Sequence, residues 1–168
     1  MYNLLPIETI NSLFEYKGGD LLWKVSRGGT SIGDIAGRMT DNGYRVVKVN
    51  GVLYPVHRIV YQMHGGDVSQ WVDHIDGNPL NNSIENLRGC TRTQNQHNRA
   101  LNSNNTSGVK NVYRNSVGTQ WNVSVRVNGQ RKFIGGFYDL ELAELVAMEA
   151  RNKYHGEYAN HGSFRGAI

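Results

Sequence analysis

The sequence predicts an α+β chain of small antiparallel sheets and short helices, and three observations predict it. Asn50-Gly51 and Asn128-Gly129 each sit between two strand-like runs, and both central positions of such a hairpin turn need the positive φ that Asn and Gly tolerate. Two stretches read as helices instead, at about 56–64 and 139–154. Between the halves, residues 101–107 (Leu-Asn-Ser-Asn-Asn-Thr-Ser) have no apolar periodicity and read as a linker.

Taken in order, residues 1–55 form a β-rich region. A short amphipathic stretch (Ile7, Ile10, Leu13, Phe14) precedes strand-like runs at 21–25, 44–49 and 52–54. Gly28, Gly29, Gly33, Gly37 and Gly43 punctuate it, but no Lys-Ser or Lys-Thr follows, which argues against a phosphate-cradling loop. Residues 56–100 hold a helix closed by Gly65-Gly66, then a short strand at 71–75 interrupted by Asp73 and His74. A loop rich in Gly and Asn follows from Asp76 to Asn82, then a segment at 84–91 and a polar helix from about Thr91. Residues 108–160 hold strands at 109–113, 121–127 and 130–135. Asp139 then N-caps a helix with Leu142, Ala143, Val146, Ala147 and Ala150 on one face.

Composition narrows the function classes. The 168 residues, with mean hydropathy −0.51, suit one ordinary domain or two small ones. No apolar run reaches the roughly 18–20 residues of a membrane helix. Acids precede any basic cluster at the N-terminus, so no signal peptide is expected and the protein is expected in the cytoplasm. The lone Cys90 excludes an internal disulfide and a zinc site of paired cysteines, and reads as a small buried hydrophobe. The net charge of +4 is mild, but its placement is not: from Arg88 through Tyr138 there is no Asp or Glu. One sign of charge over such a length suits a polyanion.

The informative string is DHIDGNPLNNSIENLRGCTRTQNQHN. An Asp beside a His at a strand end divides the labour of phosphodiester hydrolysis: the carboxylate holds a hard divalent ion and the imidazole takes a proton from water. Adjacent strand residues point to opposite faces, so the two share one site only where the strand bends or ends, as Asp76-Gly77-Asn78 suggests. The helix near Thr91 offers Asn95 as a further ligand. Asp76 reads as a turn former, and the loop asparagines 78, 81 and 82 as turn and cap chemistry. His57 reads as structural, and His64, His97, His155 and His161 as ordinary surface residues.

This run resembles the HNH endonuclease family, in particular phage and intron-encoded homing endonucleases. It matches their motif at Asp73, His74, Asp76, Gly77, Asn78, Asn82, Asn86, Leu87, Arg88, Thr91 and Asn95, with Val56, His57 and Arg58 before it. The resemblance implies a ββα-metal fold gripping one divalent ion, Mg2+ or Mn2+. Asp73 and Asn95 would be its ligands, with His97 and Asn98 as rivals to Asn95. His74 would be the general base, and Asn86 the central Asn that ties the loop. The products would carry 5′-phosphate and 3′-hydroxyl ends. The family often has an aromatic and an aliphatic residue after Asn-Leu-Arg; here stand Gly89 and Cys90, a departure that bears on strand packing.

Residues 107–158 resemble the plant ethylene-response-factor type of DNA-binding domain, through Ser107-Gly108-Val109, Trp121, Asn128-Gly129, Ile134-Gly135, Phe137 and Gly156-Glu157-Tyr158. Strand parity points the same way. Trp121, Val123, Val125 and Val127 face one side, with Ile134; Ser124, Arg126, Arg131 and Phe133 face the other, with Lys110, Tyr113 and Arg114 nearby. A three-stranded sheet enters the major groove in this manner. Arg58, Arg88 and Arg92 complete the expected DNA contacts. The expectation is a phage-type, metal-dependent nuclease acting on double-stranded DNA, with no membrane and no obligatory protein partner, as a monomer or weak dimer. The rival expectation is a DNA-binding regulator with an inactive site.

Overall fold

The computed structural model describes residues 4–102 and 104–162. They divide into two compact units, Met1–Thr91 and Arg92–Ile168.

In the first unit, Pro6 starts α1 (Ile7–Leu13), whose first turn carries Glu8, a favourable charge at that end of the helix dipole. The β1 (Phe14–Lys17) and β2 (Asp20–Trp23) hairpin follows at once, so Phe14 belongs to a strand rather than to the amphipathic stretch. β3 (Arg38–Met39), β4 (Arg45–Val49) and β5 (Val52–Pro55) make a three-stranded sheet. At its β4–β5 turn Asn50 and Gly51 have φ of 50° and 85°, the hairpin the sequence predicts. α2 (Val56–Met63) packs on this sheet, and β6 (Trp71–His74) pairs antiparallel with β7 (Leu87–Cys90) after a 3-10 turn at Ile84–Asn86.

One apolar core runs through all of it. Ile10, Phe14, Leu21, Val47, Val56, Val60, Val72 and Leu87 are buried together, so the β-rich region and the motif segment share an interior. Tyr61 of α2 answers the departure at Gly89. Its hydroxyl accepts from the Gly89 N–H at 3.0 Å. A Cβ at Gly89 would stand 3.0 Å from that oxygen, and one at Gly66 only 2.3 Å from the ring. The tyrosine fills the space over the strand.

In the second unit, α3 (Arg92–His97) precedes a sheet of order β10-β9-β8, built from β8 (Val112–Arg114), β9 (Trp121–Val127) and β10 (Gln130–Phe137). β8 starts later than its apolar pattern predicts because Asn111 has φ 71° and Val109 is still in a turn. The register shifts between Phe133 and Gly135, leaving Ile134 as a bulge. α4 (Leu140–His155) lies on one face through Ala143 and Ala147, which pack with Val112 and Val123. Asp139 caps it as expected, accepting from the Leu142 N–H at 2.7 Å. Arg151, 1% exposed, is held inside: Nη1 donates to the Lys110 carbonyl at 2.5 Å and Nε to His161 Nδ1 at 3.2 Å.

Candidate active site

Asp73 and His74 end β6, and both are buried, at 7% and 4% exposure. The ladder sets Asp73 opposite Arg88 and His74 opposite Leu87. Directly opposed residues share a face, so Asp73 Oδ2 meets Arg88 Nη2 at 3.2 Å while the imidazole turns towards α2.

The loop beyond β6 is closed by amides. Gly77 N–H donates to the His74 carbonyl at 2.9 Å, and Ile75 N–H to that of Asn86 at 2.8 Å. Asn86 clasps the loop with both ends of its side chain. Oδ1 accepts from the Asp76 N–H at 3.0 Å; Nδ2 donates to Asp76 Oδ1 at 3.0 Å and to the Asn81 carbonyl at 2.8 Å. Burial works to raise the Asp76 carboxyl, but hydrogen bonds from Asn81, the Asn78 amide and Asn86 outweigh it and hold it below its ordinary value.

His74 sits among rings. His57 lies 5.0 Å away and Tyr44 6.1 Å, centroid to centroid, and Nε2 of His74 lies 3.0 Å from Asn82 Oδ1. Burial lowers the His74 pKa, opposed in part by the Asn82 bond and by Asp73 and Asp76. A neutral imidazole at neutral pH is the form that accepts a proton. Burial pushes His57 down to about 3, helped by the neighbouring His74 and Arg58. An acid-stability prediction follows. Below about 6.5 the unfolded chain protonates His57 while the folded chain does not until about 3, and stability rises with pH wherever the unfolded state binds more protons. Urea unfolding should therefore show the chain losing stability steadily as pH falls across that range, and His57→Phe should flatten the slope.

Several expected DNA contacts are engaged inside the protein. Arg58 is buried, and its guanidinium donates to the carbonyls of Gln70, at 3.0 Å, and Val68. Arg88 is taken by Asp73. Lys110 Nζ donates to the His97 carbonyl at 2.8 Å and the Arg99 carbonyl at 2.6 Å, and burial, then Arg151, lowers it to about 8. Arg114 pairs with Trp121, so it shares the face of Val123 rather than that of Arg126, with its guanidinium 3.7 Å from the Trp121 ring centre. Arg58 and Lys110 share a cause: carbonyls stranded at element ends need donors, and a nearby cation supplies them.

The remaining residues do share a face. Register puts Tyr113 with Asn122, Arg131 with Arg126 and Phe133 with Ser124. Ser124 is buried and accepts from Arg131 Nε at 2.8 Å, while the Arg131 guanidinium lies 4.3 Å from the Tyr113 ring centre. Phe133 is exposed. Beside them a cavity of about 800 Å³ is lined by Arg126, Arg131, Lys110, Tyr113, His97 and His155 among others, none of them acidic. His155, expected at the surface, is buried; it stacks on His97 at 3.7 Å, and its Nε2 lies 3.0 Å from the Arg126 carbonyl oxygen. Arg92 and Asn95 stand on α3, Arg92 exposed and Asn95 half-buried.

Among the described residues no three His, Cys, Asp or Glu side chains gather as a metal cage. A carboxylate with amide oxygens is nevertheless a hard donor set, and Mg2+ is commonly held by one or two carboxylates, with water and substrate phosphate completing its shell. The donor chemistry of Asp73 and Asn95 fits such an ion. No helix among the described residues is long and apolar enough to cross a membrane.

Comparison with known proteins follows these residues. The HNH endonuclease family matches residues 54–97. Protein 3.8 of Escherichia phage T7 is 32% identical over 107 residues, covering 61% of this chain and 86% of that protein. An uncharacterized HNH endonuclease of Acanthamoeba polyphaga mimivirus is 34% identical over 107 residues, covering 62% of this chain and 54% of its own length. No solved structure matches.

Proposed function

Because residues 54–97 match the HNH endonuclease family, we propose that the chain is a divalent-metal-dependent endonuclease that hydrolyses phosphodiester bonds of double-stranded DNA. One observation carries the reading: the family match covers the strand end where an Asp and a neutral His are buried side by side beneath an Asn-clasped loop. His74 accepts the proton of the attacking water. Asp73 and Asn95 would hold the ion, and Asn86 fixes the loop that follows His74. Bound there, Mg2+ or Mn2+ would supply Lewis-acid stabilisation of charge on the phosphate and on the departing 3′-oxygen. The products carry 5′-phosphate and 3′-hydroxyl ends.

The second unit serves as an ethylene-response-factor-like DNA-binding module. The basic face of Arg126 and Arg131, with a helix packed on the other side of the sheet, supports that role. Tyr113, Ser124 and Phe133 share that face. One nuclease motif per chain favours nicking, with double-strand breaks arising from two events. The phage relative supports a phage-encoded enzyme acting in a host cytoplasm; homing-type action as a monomer or weak dimer is part of the same proposal.

The ion pair between Arg88 and Asp73 favours one rival, a DNA-binding regulator, because the carboxylate already has a cation. Supercoiled plasmid separates the two. Nicking with Mg2+ or Mn2+ that stops with EDTA supports the enzyme; DNA binding without metal-dependent nicking supports the regulator. Binding should also weaken with salt, and Arg126→Gln or Arg131→Gln should each reduce the slope of log K against log salt by about 1.

A further inference from the structure

The loop after β6 uses most of its amides on itself. Asn78 Oδ1 accepts from the Leu80 N–H, Asn81 Nδ2 donates to Asp76, and Asn86 clasps both sides. The Asn82 side chain faces elsewhere. It is 4% exposed, and its Oδ1 lies 3.0 Å from Nε2 of His74. An amide oxygen only accepts, so this bond exists only when Nε2 carries the proton. A neutral imidazole with its proton on Nε2 has its basic lone pair on Nδ1. His57 and Tyr44 flank the ring, which resists the flip that would exchange the two nitrogens.

We propose that Asn82 is a positioning residue for the cleavage reaction: by accepting from Nε2 it fixes the His74 tautomer and makes Nδ1 the nitrogen that takes the water proton. This rests on the nuclease reading above. In the step, a water O–H bond breaks, its proton goes to Nδ1, and the oxygen bonds to phosphorus. The P–O3′ bond breaks, the departing oxygen takes a proton from a second water, and the hydroxide so formed is neutralised by the proton His74 gives up. Asn82 accepts from Nε2 throughout, because Nε2–H persists in the imidazolium. A side-chain amide suits the task better than a carboxylate would, since it orders the ring without adding a charge.

Long-range ¹H–¹⁵N NMR on the labelled full chain reads the tautomer directly. Wild type should show His74 protonated at Nε2. Asn82→Leu should populate both tautomers and lower kcat for nicking about 10- to 100-fold, the usual cost of losing a histidine's orienting partner. KM, and DNA affinity measured in EDTA, should hold. Asn82→Asp, which keeps an acceptor, should recover most of the rate. A wild-type ring protonated at Nδ1 overturns the proposal, as does an Asn82→Leu protein with unchanged tautomer or kcat. Should Asn82→Leu fail to fold, the wild-type tautomer and Asn82→Asp still decide. Wild-type protein that nicks no DNA removes the nuclease reading and this proposal together; wild-type nicking with an indifferent Asn82→Leu removes only the proposal.

Discussion

On the proposed function, His74→Ala should lower metal-dependent nicking by roughly 10²–10⁴-fold, the usual contribution of a positioned general base, while DNA affinity measured in EDTA should stay within about twofold. The separation is expected because the imidazole is 4% exposed at the end of β6, whereas the basic sheet face of Arg126 and Arg131 is in the second unit. Time courses of plasmid nicking and fluorescence anisotropy on the same preparations check both halves. A parallel loss of binding would make His74 a structural residue. Unchanged nicking would remove it from the chemistry.

The largest effect on stability is expected from Arg151→Met. This side chain is 1% exposed and ties α4 to the Lys110 carbonyl and to His161. Methionine keeps much of the volume but strands a buried carbonyl, and a hydrogen bond from a charged donor contributes about 1.5–3 kcal/mol. Together with the second bond, the loss should reach about 3 kcal/mol in urea unfolding of the second unit. Arg151→Lys should recover little, since one ammonium cannot serve two acceptors that the planar fork reaches from Nη1 and Nε. A change under about 1 kcal/mol would mean that water replaces the guanidinium.

Local signals were readable wherever the chain itself enforces them. Both Asn-Gly turns, the Asp139 cap, helix α2 and the strand carrying Asp73 and His74 stand where pattern puts them. The misses concern what a side chain meets across the fold. Arg58 and Lys110 look like phosphate contacts in a sequence with a basic stretch, yet each ends on carbonyls that no strand or helix bond uses. Arg114 changes face because the β8–β9 register sets it opposite Trp121, which parity within one strand cannot tell. Asn82 reads as one more loop asparagine because its partner is eight residues back, on a strand whose inward face only the folded hairpin defines. Asn86 is different: the family resemblance implies an Asn there that ties the loop, and its amide is bonded at both ends.

Tyr61 carries a consequence for how this hairpin can be recombined. The aromatic bulk expected on the second strand of the hairpin is supplied here by the preceding helix, over a strand stripped to Gly89. An aromatic side chain placed at position 89 alone would drive two rings into one space, and removing the Tyr61 ring alone would leave a hollow above the glycine. Helix and hairpin thus fit as one block from Val56 to Cys90, and an exchange inside it breaks the fit even when every residue of the motif survives.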